Sequence, residues 1–162
     1  MIPTIISRFD SKRNRLLEIF KSKHPESYLD IVKAVVSEIT TEDEYGECNL
    51  DPDRITLIDH GSYQGSQLFI IAAKGYQPSD YWATEHSYGS CSGCDTLSSI
   101  SEYSSDPPTE EQAKDYLTLA LHLAQRIERL FDKSANVELT GREALRSNDR
   151  LGDQNNNQGD KP

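Results

Sequence analysis

The sequence predicts an α+β fold: a small antiparallel sheet of three strands or slightly more, with helices packed on one face. Three observations carry this. Segments with a 3.6-residue apolar period lie before and after a central block of strand character. The central segments are short and are separated by glycine-bearing turns of hairpin length. Strands do not alternate with helices, so no parallel βαβ sheet is expected.

The first helix is expected over about 8–22, where Phe9, Leu16, Leu17 and Phe20 share one stripe. Pro25 interrupts it. Ser27 with Asp30 forms a capping box, in which hydroxyl and carboxylate each satisfy an orphan backbone N–H. A second helix then runs to about Thr40 and buries Tyr28, Val32, Val35, Val36 and Ile39.

Asp51-Pro52-Asp53 reads as a turn, and Ile55–Asp59 as the first strand. Leu68–Ala73 is a continuous apolar run, as a central strand requires. Gly75-Tyr76-Gln77-Pro78 turns the chain again. Tyr81–Tyr88, rich in aromatics, is the third strand. A Gly/Ser/Cys loop over 90–95 leads to a short helix from Thr96 to about Glu102. After the connector Ser104–Pro108, Thr109 with Gln112 forms a second capping box. The helix it opens is expected to reach about Asp132, on a stripe of Ala113, Tyr116, Leu117, Ala120, Leu123, Ala124, Ile127, Leu130 and Phe131. His122 within it reads as exposed or satisfied. The pattern then fades, and Asp149–Pro162 holds one apolar residue, Leu151. Residues 1–134 are therefore expected to form a single domain and 135–162 a flexible acidic and polar tail.

Composition excludes several classes. The 162 residues carry 17 Lys and Arg against 27 Asp and Glu, a formal charge of −10. Such a chain is a poor binder of nucleic acid or anionic membrane. The charge is uneven: six bases face only Asp10 and Glu18 in residues 1–24, while Glu42, Asp43, Glu44, Glu47, Asp51 and Asp53 form a run without a base. No apolar run nears the roughly 18 residues of a membrane helix, and Met1–Ser7 lacks the core of a secretory signal. A cytoplasmic location is expected. Three cysteines make no disulfide framework; thiols, metal ligands or small packed residues are the readings left.

A three-strand meander brings two loops to the same end of the sheet. One is Asp59-His60-Gly61-Ser62-Tyr63-Gln64-Gly65, the other Tyr88-Gly89-Ser90-Cys91-Ser92-Gly93-Cys94-Asp95. Both are dense in glycine and reactive side chains, and loops on a rigid frame commonly carry function. Cys91-x-x-Cys94 has four readings. As zinc ligands the two thiolates would need His60, His86 or Cys48 to complete the shell. As a redox pair they would need a lowered thiol pKa, and the strand–CxxC–helix context of a thioredoxin-like unit is missing. As a nucleophile either would need a base, His60 or His86, oriented by Asp59 or Glu85. The plain reading is a tight turn, with Asp95 capping the short helix. In the first loop Asp59 is suited to accept backbone N–H groups, Gly61 and Gly65 to provide positive φ, and Tyr63 and Gln64 to pack against the neighbouring loop. Glu85 and His86 are adjacent and so point to opposite faces. Walker, dinucleotide, HExxH and nucleophile-elbow motifs are all missing from the sequence.

The pairing of Asp59-His60-Gly61-x-Tyr63-Gln64-Gly65 with Tyr88-Gly89-Ser90-Cys91-Ser92-Gly93-Cys94-Asp95-Thr96-Leu97 resembles a group of small tailed-bacteriophage proteins of unknown function. The likeness spans about Ile55 to Ile100 and leaves out the first helices and the tail. It implies a protein made in the cytoplasm of an infected bacterium and carries over no catalytic role. Small phage accessory proteins often act on host machinery or defence systems.

The function expected is therefore an accessory protein that binds a host or phage protein through the 59–65 and 88–95 loops. Tyr63, Gln64, Tyr88, Ser90 and Asp95 are the contact residues, and a host defence system is one target class. One alternative is a cysteine- or zinc-dependent hydrolase or transferase using Cys91, Cys94, His60 and Asp59. Another is an acidic mimic of nucleic acid, against which the basic first 24 residues count. No resident cofactor is expected; zinc on Cys91, Cys94 and His60 is the one metal reading.

Overall fold

The computed structural model describes residues 2–42, 48–102 and 106–130. The expected tail over 135–162 lies outside them, as do Asp43, Glu44 and Glu47 of the acidic run. The element order is α1 (Ile2–Ser22), α2 (Tyr28–Ile39), β1 (Leu50–Gly61), β2 (Gly65–Ala73), β3 (Tyr81–Tyr88), α3 (Thr96–Ser101), α4 (Glu110–Gln125) and β4 (Glu128–Arg129). The α+β class holds, with four antiparallel strands in the order β1-β2-β3-β4.

The helices follow their apolar stripes. In α1, Ile5, Phe9, Leu16 and Phe20 are buried, and Ile5 carries the helix further towards the N-terminus than the 8–22 pattern suggests. Both capping boxes form: Ser27 with Asp30 opens α2, and Thr109 with Gln112 opens α4. The buried face of α2 is Tyr28, Ile31, Val32, Val35, Val36 and Ile39. The guanidinium of Arg8 on α1 donates to the carbonyls of Ile39 and Thr40, closing orphan acceptors where α2 ends. α1 lies against α2 and α4, α2 against β1, and α4 against β3.

Register sorts the sheet into two faces. Ile55, Ile71 and Trp82 stand in one row and Leu57, Phe69 and Thr84 in the next. Phe69, Ile71, Trp82 and Thr84 are buried under the helices. The hydroxyl of Thr84 donates to the Leu123 carbonyl at 2.9 Å, tying α4 to the sheet. Residues of opposite parity face outwards, and there Ile58, Glu85 and Ser87 are exposed.

Two expectations are corrected. The last helix stops at Gln125 rather than near Asp132. Arg126 leaves helical geometry, Ile127 stays buried, and Glu128 and Arg129 pair with Ala83 and Trp82 of β3. The N–H of Leu130 then donates to the Tyr81 carbonyl at 2.8 Å. The lower edge of β3 offers backbone groups that need partners, and a strand satisfies them where further helix would not. Arg129 gains a salt bridge to Asp80 and stands 5.9 Å over the Trp82 ring. Leu130, expected on the helix's apolar stripe, is exposed. The second correction is that β1 runs through Asp51-Pro52-Asp53. The turn chemistry is present, since the Asp51 carboxylate accepts the Asp53 N–H at 3.0 Å. It produces a register shift between Leu50 and Ile55 inside the strand. Pro52 is tolerated because β1 is at the edge of the described sheet, where a missing N–H breaks no ladder.

Candidate functional site

The two loops do meet at one end of the sheet. Gly61 is opposite Gly65, and Gly65 is opposite Tyr88. The glycines serve a different need from the positive φ expected of them; among the described glycines only Gly75, with φ 121°, has one. What they permit is close approach. A Cβ on Gly61 would lie 2.7 Å from the Gly65 Cα and 2.8 Å from the Tyr88 hydroxyl. The hairpin and the tyrosine thus occupy space that any side chain would fill.

A hydrogen-bonded frame completes this corner. The Tyr88 hydroxyl donates to one oxygen of Asp59 at 2.8 Å, and the Gln67 amide donates to the other at 2.8 Å. The Gln67 bond, then that of Tyr88, holds the Asp59 carboxyl below the usual carboxylate range. The bond to Asp59 raises the Tyr88 phenol in turn. Beyond the frame the tip is open: Tyr63 is 82% exposed and Gln64 is exposed.

The second loop is anchored from below. Asp95 is buried and caps α3 by accepting the Ser98 N–H at 2.8 Å. Its other oxygen accepts the Tyr28 hydroxyl at 2.9 Å and the Gly89 N–H at 3.3 Å. Burial pushes this carboxyl up, but the bonds from Ser98, Tyr28 and Gly89 outweigh it and hold it below its ordinary value. Tyr28 also accepts the Leu97 N–H at 3.1 Å. Burial pushes its phenol up. The His86 ring packs against Tyr28, tilted by 40° with ring centres 4.1 Å apart, and burial, then Arg126, lowers its pKa.

The cysteines sit on top of this anchor. The Cys94 N–H donates to the Cys91 carbonyl at 2.9 Å and closes a tight turn. Both thiols are free and exposed, with Sγ atoms 2.8 Å apart. The Cys91 N–H points at the Cys94 Sγ from 3.1 Å. The bond from the Cys91 thiol, followed by the backbone N–H, lowers the Cys94 thiol.

The candidate residues therefore separate into groups. Asp59 and Tyr88 bond directly; Cys91, Cys94 and Ser90 share the neighbouring turn; Tyr63 and Gln64 form the exposed tip. Asp95, expected to contact a partner, is turned inwards instead. His60 is one residue from Asp59 in β1 and takes the opposite face, in register with Ser66 and Ser87. Cys48 is buried and its carbonyl accepts the Thr41 N–H, so it belongs to the connection between α2 and β1. Among the described residues no histidine bonds to either exposed sulfur, and no three His, Cys, Asp or Glu side chains are grouped to hold a metal. Two contributors were missed. Gln67 was accessible by counting back from the turn, which pairs it with Asp59. Tyr28 comes from another element, and nothing local marks it.

A cleft of about 230 Å³ opens beside Tyr28, Gln67, Tyr88 and Asp95. It is smaller than the roughly 300–1,000 Å³ of a typical small-molecule site. Among the described residues no helix is long and apolar enough to cross a membrane. Compared with protein-family models, curated proteins and solved structures, the chain matches none.

Proposed function

We propose that the chain is a phage accessory protein that binds a host or phage protein through the loop end of its sheet, in the cytoplasm of an infected bacterium. A component of a host defence system is the target class that fits such a role. The observation that carries the reading is Tyr63. It is a large aromatic side chain held almost fully in solvent at the tip of a hairpin whose base is closely packed. Aromatic residues on pre-organised loops lose little freedom on binding and commonly supply the main contact energy. Gln64, next in the chain, and Ser90 of the neighbouring loop are also exposed polar groups at this end of the sheet. The cleft adjoining the loops is small for a substrate. The thiol-enzyme reading stands lower because neither sulfur has a histidine base at bonding distance.

The test uses a second exposed tyrosine as its control. Tyr76 is 92% exposed at the opposite end of the sheet. A photo-crosslinking residue is placed at position 63 or at position 76, and each variant is irradiated in an extract of phage-infected bacteria. A single protein adduct from position 63, competed away by unmodified chain but not by Tyr63→Ala, is the expected result. Equal adducts from both positions, or none from position 63, overturns the proposal.

A further inference from the structure

We propose that Cys91 and Cys94 form a thiol–disulfide exchange centre, cycling between a dithiol and an intramolecular disulfide against small disulfides of the glutathione type. This is an activity separate from partner binding, and its geometry is already in place. A disulfide needs sulfurs about 2.05 Å apart. The two are at 2.8 Å, on side chains exposed to solvent. The turn that aligns them is fixed by the Cys94 N–H bond to the Cys91 carbonyl at 2.9 Å. Gly89 leaves room for it: a Cβ there would stand 2.7 Å from the Cys94 Sγ. Asp95, next in the chain, is held by Tyr28, Ser98 and Gly89, so closure of the bond leaves the base of the loop where it is.

The two sulfurs are not equivalent. The Cys94 Sγ accepts from the Cys91 thiol and from the Cys91 N–H, and these bonds lower its pKa. Cys94 is thus the attacking thiolate. It attacks one sulfur of the small disulfide and forms a mixed disulfide; the electrons of the broken S–S bond leave on the first thiolate, which takes a proton from water. Cys91 loses its proton and attacks the Cys94 sulfur. The second small thiol leaves with the electrons of the mixed disulfide. In sum the protein dithiol gives up two electrons and two protons, and one small disulfide becomes two thiols. Cys48, buried in the core, takes no part.

The experiment equilibrates the whole chain in buffers of reduced and oxidised glutathione, quenches with acid, alkylates the remaining thiols and maps them by mass spectrometry. The expected product is a Cys91–Cys94 disulfide, reversed by excess reduced glutathione, with Cys48 alkylated only after unfolding. Cys91→Ser is expected to stop at a stable glutathione adduct on Cys94. Cys94→Ser leaves Cys91 reacting several-fold more slowly than Cys94 does in Cys91→Ser. Accumulation of a mixed adduct on the unsubstituted chain without the intramolecular bond overturns the proposal, as does failure of either thiol to react. The unsubstituted chain alone decides the matter if a variant does not fold. The result is independent of whether position 63 yields an adduct.

Discussion

The two ends of the same sheet differ in where their polar groups are spent. At the end bearing Gly75 and Tyr76, the chain is stitched to the helical layer. The Lys74 N–H donates to the Asn49 carbonyl at 3.1 Å, and its ammonium donates to the Thr41 carbonyl at 3.1 Å. Thr40 donates to the Leu50 carbonyl, and Arg54 reaches the Gly75 carbonyl at 2.6 Å. These bonds close the junction between α2, β1 and the β2–β3 turn. At the other end, Gln67 and Tyr88 each donate to Asp59 on the surface, while Tyr63 and the two thiols are left facing solvent. Both ends carry an exposed tyrosine, so exposure alone does not separate them. One end is joined to the body by several polar groups spread along the junction; the other hangs on the buried bond between Asp95 and Tyr28 and carries above it a frame that holds reactive groups outwards.

Substitutions at the two ends put this contrast to the test. The largest effect is expected from Asp95→Ala, which removes the cap of α3 and orphans the buried Tyr28 hydroxyl. Chemical denaturation should show a loss of about 3 kcal/mol. Arg54→Ala, at the stitched end, removes an exposed bond to the Gly75 carbonyl and an exposed ion pair with Asp51, and should stay within about 0.5 kcal/mol. Comparable losses from the two would end the claim that the frame hangs on one buried anchor.

Glycine substitutions come next. Gly61→Ala meets backbone at 2.7 Å and should cost about 2 kcal/mol. Gly75→Ala puts a side chain at a positive φ and should cost about 1 kcal/mol. Reversal of that order in thermal melts would mean that conformation, not proximity, governs the hairpin. Tyr28→Phe keeps the ring contact with His86 and deletes the hydroxyl between Asp95 and Leu97. A loss of about 1.5 kcal/mol is expected, with faster amide exchange over 89–98 and no change around Gly75.

The smallest effects are in pH dependence. The Asp95 pKa is depressed, so its contribution is complete above the ordinary carboxylate value of about 3.9 and is lost as pH falls through its own lower value. Asp95→Asn should therefore flatten the acid limb of the stability curve below about pH 4. His86 is also depressed. The unfolded chain takes up its proton first, so stability falls as pH drops below about 6.5 towards the folded value. His86→Gln should remove that shallow slope. A slope unchanged in the variant would place its origin elsewhere.

Local chemistry made much of this fold readable. Ser27 with Asp30 and Thr109 with Gln112 state their caps in four residues, and Tyr81–Tyr88 begins and ends where the aromatic and β-branched run does. The convergence of the two loops follows from antiparallel order alone. Long-range competition was not readable. The run from Ala124 to Phe131 keeps helical spacing, yet β3 takes Glu128 and Arg129 as a strand; Ile127 is buried under either outcome, so periodicity cannot decide. Asp51-Pro52-Asp53 carries real turn chemistry, but the edge of a sheet absorbs it as a register shift. In the site, convergence of the two loops groups His60 with the thiols, whereas parity in β1 sends it to the face opposite Asp59. Tyr28 enters from a helix more than sixty residues away and leaves no trace near Asp95.

The glycine row has one more consequence. Because Gly61, Gly65 and Tyr88 lock the hairpin beneath its tip, the three residues above them bear no weight. Ser62, Tyr63 and Gln64 can be exchanged, or lengthened by a short polar insert, without disturbing the strands. The molecule therefore carries an interchangeable fingertip on a fixed knuckle, whose side chains can vary while the register of the strands below stays the same.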